Sequence, residues 1–404
     1  MSGPLSGLRV FDLTRILAGP SCTQILGDLG ADVVKIELPG SGDDTRSWPP
    51  YLRDDQGSDT SETAYFACAN RNKRSLTLNL RSGEGQALAR RLIATCDILV
   101  ENFKTGSLKK YGLDYDQLKD DFPKLIYCSI SGFGRTGPYA RRPGYDVMIQ
   151  AMGGLMSVTG HPGAEPQKTG VPVSDLFAGM YAALSINAAL RHREISGEGQ
   201  LIDIGLLDTT VAMMSNQAMN YLATGLVPPR LGNEHPNIAP YQVFPTCDGG
   251  IVIACGNDNQ FRRLCEFLQC PQLADDAKFK SNALRLQNRQ ALNGILYPLT
   301  ARQTSAHLLE NLEKLSIACG PINTLDKVFS DPQVIARGML VELDHPAPGE
   351  EKLRLVGSPI NMSRTPVGYR YPPPRLGQHS DELLTEILGM DSEEIASLRE
   401  CGAI

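Results

Sequence analysis

The stretch Leu8–Glu37, LRVFDLTRILAGPSCTQILGDLGADVVKIE, sets the fold. Leu8–Leu13 alternates as a strand does, Gly19–Leu29 has helical spacing, and Asp32–Glu37 is again strand-like, so the chain opens on a βαβ unit. The alternation continues with strand Ser75–Leu80, helix Gly83–Thr95, strand Asp97–Glu101, a basic helical piece around Lys109, and strand Lys124–Ile130. Helical patterns at Gly144–Met152 and Asp175–His192 follow, then strand Gln200–Ile204 and a further helix to about Tyr221. Regular alternation of this kind predicts an α/β fold, a Rossmann-like parallel sheet with helices on both faces.

At 404 residues the chain exceeds the size of one ordinary core, so two structural domains are expected. Composition changes at Ala223–Pro245, a proline-rich stretch with little periodicity that reads as a linker or a functional loop. Beyond it, strand Gly250–Cys255 and helices Asn259–Leu268, Ala283–Leu299 and Ser305–Leu315 suit a smaller α+β domain. From Asp331 the chain turns extended and proline-rich, notably at Tyr369–Arg375, before a helix at Ser380–Leu388. The division is therefore a large domain over 1–222, a linker and small domain over 223–330, and a return segment over 331–404 that runs over a surface or wraps a partner.

Hydrophobic content of 42%, charged content of 21% and a net charge of −6 give no reason to expect nucleic acid or an anionic membrane as partner. No run approaches the roughly 18 apolar residues of a membrane span, and MSGPLSGLRV has no apolar signal core, so the expected location is cytoplasmic. The ten cysteines are dispersed without a CxxC pair and read as free thiols. The six histidines show no ligand spacing, so no metal is expected.

Asp175 stands where an extended segment meets a long apolar helix, and either it or Ser174 is the expected N-cap. A carboxylate there meets unpaired N–H groups and the positive end of the helix dipole, both of which favour its charged form. Capping alone explains such a residue, and chemistry is the alternative. Tyr145 and Asp146 precede another helix and could cap it, and Asp146 near Asp175 would raise one of the two pKa values.

GFGRTG at Gly132–Gly137 matches GxGxxG, but Pro138 sits where the helix should begin and no acidic residue follows at a strand end. It is either a ligand loop at the end of a strand or plain turn chemistry, and no nicotinamide site is expected. Neither GxSxG nor GxxxxGK[ST] occurs, which removes the usual support for a serine hydrolase or a P-loop NTPase. Basic residues cluster beside strands: Arg71, Lys73 and Arg74; Lys104, Lys109 and Lys110; Arg135, Arg141 and Arg142. They are read either as a phosphate site built from several loops or as solvated surface charge.

Over essentially its full length the chain resembles the class III CoA-transferases, the CaiB/BaiF family. The matching stretches are Leu8–Glu37 with SGDDTR after it, NRNKRSLTLNL, the ENF of ENFKTG, SISGFGRTGP, Tyr145 with Asp146, GVPVSDLFAGMYA and SGEGQLIDIGLLD. LGNEHPNIAPYQVFPTCDG is similar to the branch that moves CoA between succinate and other dicarboxylates, such as the glutarate enzyme. The resemblance implies an interlocked homodimer, coenzyme A as substrate, and Asp175 as nucleophile with Asp146 and Tyr145 as hydrogen-bonding groups beside it. It places Ile16, Leu17, Ala18, Leu78, Asn79, Leu80, Arg81, Asn102, Phe103, Lys104, Lys110 and Gly144 on the CoA site.

The pattern departs from formyl-CoA transferases at Leu17, Leu38 and Asp146, where those enzymes carry glutamine, arginine and glutamate, and at HPNIAPYQ, which replaces a glycine-rich loop. The implied acceptor pocket is therefore not an oxalate or formyl site, and Arg15, Arg46, Arg230 and His235 are candidates for gripping the second carboxylate of a dicarboxylic substrate. The rivals are a CoA-thioester racemase, for which His161 and His192 are the nearby histidines, a non-catalytic acyl-CoA-binding protein, and a nucleotide-dependent oxidoreductase.

Overall fold

The computed structural model describes residues 3–54, 56–345 and 352–404. Six parallel strands form the main sheet: β1 (Arg9–Asp12), β2 (Asp32–Glu37), β3 (Lys73–Thr77), β4 (Ile98–Glu101), β5 (Ile126–Ser131) and β6 (Leu201–Gly205). Their spatial order is β3-β2-β1-β4-β5-β6. This is the doubly wound order, in which the chain reverses direction between β1 and β4 and leaves a crevice at the strands' carboxyl ends.

Alternate side chains of each strand go to opposite faces, as the two-residue strand period requires. Val10, Val33, Ile98 and Ile126 join one apolar cluster, while their neighbours Phe11, Val34, Leu99 and Tyr127 join another. Helices α1 (Ala18–Asp28) and α4 (Val173–Ser196) cover the first face with Cys22, Leu26, Ala178, Ala182 and Ile186. Helix α2 (Gly83–Ile93) covers the second with Leu88 and Leu92, joined by Leu383 and Leu384 of the helix Ser380–Leu388.

By length and hydropathy α4 passes as a membrane span, contrary to the expectation that no stretch comes close. Its apolar side packs on α1. A Cβ on Gly179 would lie 2.6 Å from the carbonyl oxygen of Ala18, so the two backbones touch where only glycine fits.

The returning segment closes an open edge of the sheet. Ser75 donates its N–H to His379 Nδ1 at 3.1 Å, and His379 donates its own to the Ser75 carbonyl at 3.0 Å. These bonds occupy polar groups of β3 that an edge strand would leave open.

The chain divides into two compact units, one of residues 1–155, 168–215 and 332–404 and the other of residues 156–167 and 216–331. The short stretch 156–167 falls in the second unit although it lies within the 1–222 of the sequence-based division. Gly232 donates to the Gly160 carbonyl and Arg230 to that of Ala164, which ties it there. The second unit has an antiparallel sheet ordered Ala318–Pro321, Gly249–Ala254, Tyr241–Thr246. Phe244, Ile251, Phe261, Leu292 and Leu308 form its core. Tyr241–Thr246 belongs to the stretch read as linker, so the prolines there precede and punctuate a strand rather than prevent one.

Candidate active site

Four loops at the carboxyl ends of the strands meet beside the β1–β4 reversal. After β1 come Arg15, Ile16, Leu17 and Ala18; after β4, Asn102, Phe103, Lys104 and Thr105; at the end of β5, Ile130, Ser131 and Gly132; after β6, Leu206. With Arg142–Tyr145 and Asp175 they line one cavity of about 200 Å³. A second cavity of about 330 Å³ shares Arg15 and Phe103 with the first and reaches Leu38, Leu78, Leu80, Arg81 and Tyr111.

Close backbone approach brings the Tyr145 loop in. A Cβ on Gly144 would sit 2.3 Å from the Cα of Gly132, and one on Gly132 would sit 2.6 Å from that of Gly144. The first glycine of GFGRTG is thus a contact between two site loops.

Asp175 is not the N-cap of α4. That position is Pro172, which offers no side-chain cap, and neither Ser174 nor Asp175 takes it. The capping carboxylate comes from another helix: Asp146, first residue of α3 (Asp146–Met152), accepts the Ser174 N–H at 2.9 Å and faces that of Asp175 at 3.4 Å. Gln150 holds Asp146 with a 2.6 Å bond and accepts the Thr169 N–H at 3.0 Å.

Half-buried Asp175 therefore has a carboxylate neighbour and has ceded its helix's N–H groups to it. Burial first, and the Asp146 charge second, push its carboxyl up to about 7. The expectation that the helix end favours the charged form of Asp175 does not hold, because another carboxylate occupies that end.

Two further observations mark this wall as a place for a ligand. The Thr105 and Ser131 hydroxyls are buried on the cavity lining and have no hydrogen-bond partner among the described residues, a condition native proteins rarely leave uncompensated. The N-cap of α1, Leu17, offers no side-chain acceptor, so the first N–H groups of that helix are uncapped beside the same cavity.

The two cavities gather most of the residues assigned to the CoA site, but not all. Asn79 faces the chain's end, bonding Ala403 and Gly402. Exposed Lys110 lies 4.6 Å from the Tyr111 ring centroid, beside the second cavity. Asn102 fixes the β1 loop by accepting from the Arg15 N–H at 2.8 Å and donating to its carbonyl at 2.7 Å. Tyr145 is 62% exposed at the rim, with its side chain out of the cap it was expected to form.

Of the candidates for a second carboxylate, Arg15 lies in both cavities and pairs with Asp44 at 3.0 Å. Arg46 is committed elsewhere: it bonds Glu37, Glu62 and the Pro374 carbonyl and stacks on Phe66. Arg230 and His235 lie in the second unit, where Arg230 bonds Ala164 and His235 packs on Tyr241.

The basic clusters prove heterogeneous. Arg71, Lys73 and Arg74 are buried and paired with Asp28, Asp12 and Asp32, and Arg135 is paired with Asp114; these are internal ion pairs, not a phosphate site. Lys104 and Arg142 remain exposed at the cavity. Sequence reasoning missed Thr105, Ser131 and Gln150, whose roles depend on burial and long-range pairing that no local pattern records. It also missed Tyr65, whose phenol is pushed up to about 12 first by burial and then by the Asp175 charge. Among the described residues, no cluster of three His, Cys, Asp or Glu side chains is arranged to hold a metal.

Comparison with known proteins identifies the family. The model of CoA-transferase family III matches residues 5–380. A succinate–glutarate CoA-transferase of Agrobacterium fabrum is 49% identical over 95% of this chain and 96% of its own. A succinyl-CoA:glutarate CoA-transferase of Mus musculus is 42% identical over 99% of this chain and 90% of its own. The crystal structure of a CaiB/BaiF family protein from Brucella suis superposes with a TM-score of 0.84 at 48% identity, covering 96% of this chain and 100% of that one. A family match over most of the chain, with relatives of this identity and coverage, places the chain in CoA-transferase family III, the CaiB/BaiF family.

Proposed function

We propose that this enzyme moves CoA from succinyl-CoA to a second dicarboxylic acid, with Asp175 as the covalent nucleophile. The observation that carries the reading is the placement of Asp175. Its carboxyl, lifted to about 7, lies on the wall of a cavity at the sheet's reversal point. A carboxylate that is costly to keep charged gains by becoming neutral, and acylation makes it neutral.

The carboxylate attacks the thioester carbonyl, forming an acyl-aspartyl anhydride and releasing CoA thiolate, a fair leaving group with a thiol pKa of about 8.5. The thiolate then attacks the Asp175 carbonyl, giving an aspartyl–CoA thioester and free succinate. The acceptor carboxylate attacks that thioester and releases the thiolate again. Attack of the thiolate on the acceptor's carbonyl yields the new acyl-CoA and restores Asp175. Each oxyanion needs fixed donors, for which the uncapped N–H groups at the start of α1 are candidates.

In this reading the thioester end of CoA enters the smaller cavity, where the Thr105 and Ser131 hydroxyls await partners. The nucleotide end lies toward Leu78–Arg81, with Lys104 and Lys110 near its phosphates. Of the proposed acceptor cations, Arg15 is the one that lines the cavity with Asp175.

We assign the enzyme, further, to a cytoplasmic homodimer with interlocked subunits. That assignment draws support from exposed apolar side chains such as Leu222, Leu226 and Val227, each more than 70% accessible.

The test is a panel of succinate, glutarate, hydroxymethylglutarate, itaconate, malate and oxalate offered with succinyl-CoA, with new thioesters separated by chromatography. CoA transfer to a dicarboxylate other than succinate is expected. Failure of every acid to take CoA overturns the reading.

A further inference from the structure

Beside the two cavities lies a group of charges that the proposed chemistry does not use, two of which, Lys35 and Asp43, line the larger cavity. Asp12, Lys35, Asp43 and Lys73 are all fully buried or within one per cent of it. Burying four charges is costly unless each is paired and hydrogen-bonded, and here each is. Lys35 Nζ meets Asp43 at 2.9 Å, and Lys73 Nζ meets Asp12 at 3.2 Å. Burial works to raise the Asp43 carboxyl, but Lys35 and the Thr45 donors outweigh it and bring the group down to about 2.

Apart from bonds to Thr45 and Asn70, several bonds of this group reach the turn from Thr14 into the first turns of α1. Asp12 accepts the Thr14 N–H at 2.9 Å and the Thr23 hydroxyl at 2.7 Å. Lys35 donates to the Thr14 carbonyl, and Lys73 to the Pro20 carbonyl, each at 3.0 Å. Asp43 accepts the Ile16 N–H at 3.2 Å. Ile16 has a φ of 70°, the left-handed region that a β-branched side chain strongly disfavours. Such a conformation persists only where its surroundings over-determine it, and it is a feature of sites more than of ordinary turns.

We infer that the buried Asp12–Lys35–Asp43–Lys73 network is a positioning device that holds Ile16 in its left-handed conformation, so that Ile16, Leu17 and Ala18 present a fixed wall to the thioester opposite Asp175. None of the four charged groups reaches the reacting atoms; each acts through the turn. The inference rests on the assignment of the Asp175 cavity as the place of reaction. It also gives a role to SGDDTR and NRNKRS, two motifs whose charges the catalytic steps leave unused. Asp43 and Lys73 are structural anchors for the turn, and in the case of Lys73 the position read as part of a phosphate site serves this purpose instead.

The test combines Asp43→Asn with Lys35→Met. Asparagine keeps an oxygen for the Ile16 N–H but removes the charge that faces Lys35. Loss of positioning of this kind is expected to lower kcat by about 10–100-fold. Lys35→Met removes the facing charge of the same pair, so the double variant is expected to lose no more rate than the worse of the two single variants. Asp28→Asn serves as control, since it disrupts a buried pair with Arg71 at the far end of α1. It should lower the melting temperature while the folded enzyme turns over normally.

An Asp43→Asn enzyme with unchanged kcat, or a double variant in which the two losses multiply, overturns the inference. Asp175→Ala is assayed alongside. Full activity there would reject the cavity assignment itself, whereas its loss together with a normal Asp43→Asn enzyme rejects the network alone.

Discussion

The carboxylate of Asp146 caps the helix on which Asp175 stands, accepting the Ser174 N–H at 2.9 Å and facing the Asp175 N–H at 3.4 Å. One side chain therefore does two opposed things. It stabilises the helix end, and its charge raises the cost of ionising Asp175. Asp146→Asn separates these effects, because the amide oxygen can still accept the N–H bonds while the charge is gone. The acid limb of kcat/KM should move about one pH unit lower with the fold intact. Asp146→Ala removes the cap as well and should cost about 1 kcal/mol of stability, read from urea unfolding.

The raised Asp175 carboxyl links pH to both activity and stability. Activity should rise with pH through about 7, since the ionised form attacks. Stability runs the other way. The folded pKa lies above the unfolded value near 4, so this group's contribution is fully present below about pH 4 and is lost as pH rises through about 7. Asp175→Asn removes that dependence. Unfolding free energies at about pH 5 and about pH 8 should therefore show the unmodified protein losing ground to the variant at the higher pH.

The unpartnered hydroxyls of Thr105 and Ser131 make a separate prediction. If they await the acyl-CoA, then Ser131→Ala and Thr105→Val should raise KM for the donor about 3- to 10-fold each, as expected for a lost hydrogen bond. Neither should lower the melting temperature, since neither hydroxyl bonds any of the described residues. Unchanged KM for both variants would contradict their assignment to the ligand.

Arg46 was a plausible grip for a dicarboxylate when only its charge and motif were known. Its guanidinium instead joins Glu37, at 2.7 Å, to Glu62, at 3.1 Å. Arg46→Met should cost about 3–5 kcal/mol, as when one partner of a buried ion pair is removed. In the fraction that remains folded, the ratio of kcat/KM between two dicarboxylate acceptors should not change.

The sheet was readable from sequence because its signals are local. Asp32–Glu37 and Ser380–Leu388 have the bounds their patterns predict, and the other strands differ from expectation by a few residues. What escaped was non-local. The strand Tyr241–Thr246 lies among prolines that mask its alternation. The duty of Arg71, Lys73 and Arg74 depends on Asp28, Asp12 and Asp32, which come from other elements. The motif singles out Asp175, but the direction of its pKa shift depends on Asp146, which caps its helix from another helix.

The central claim is that Asp175 becomes covalently bonded during transfer. Incubation with succinyl-CoA, rapid quenching, proteolysis and mass spectrometry should reveal CoA on the peptide that contains Asp175, and the adduct should vanish when the acceptor acid is added before the quench. An enzyme whose Asp175→Ala variant transfers CoA as fast as the unmodified protein, with no adduct on that peptide, would contradict the account.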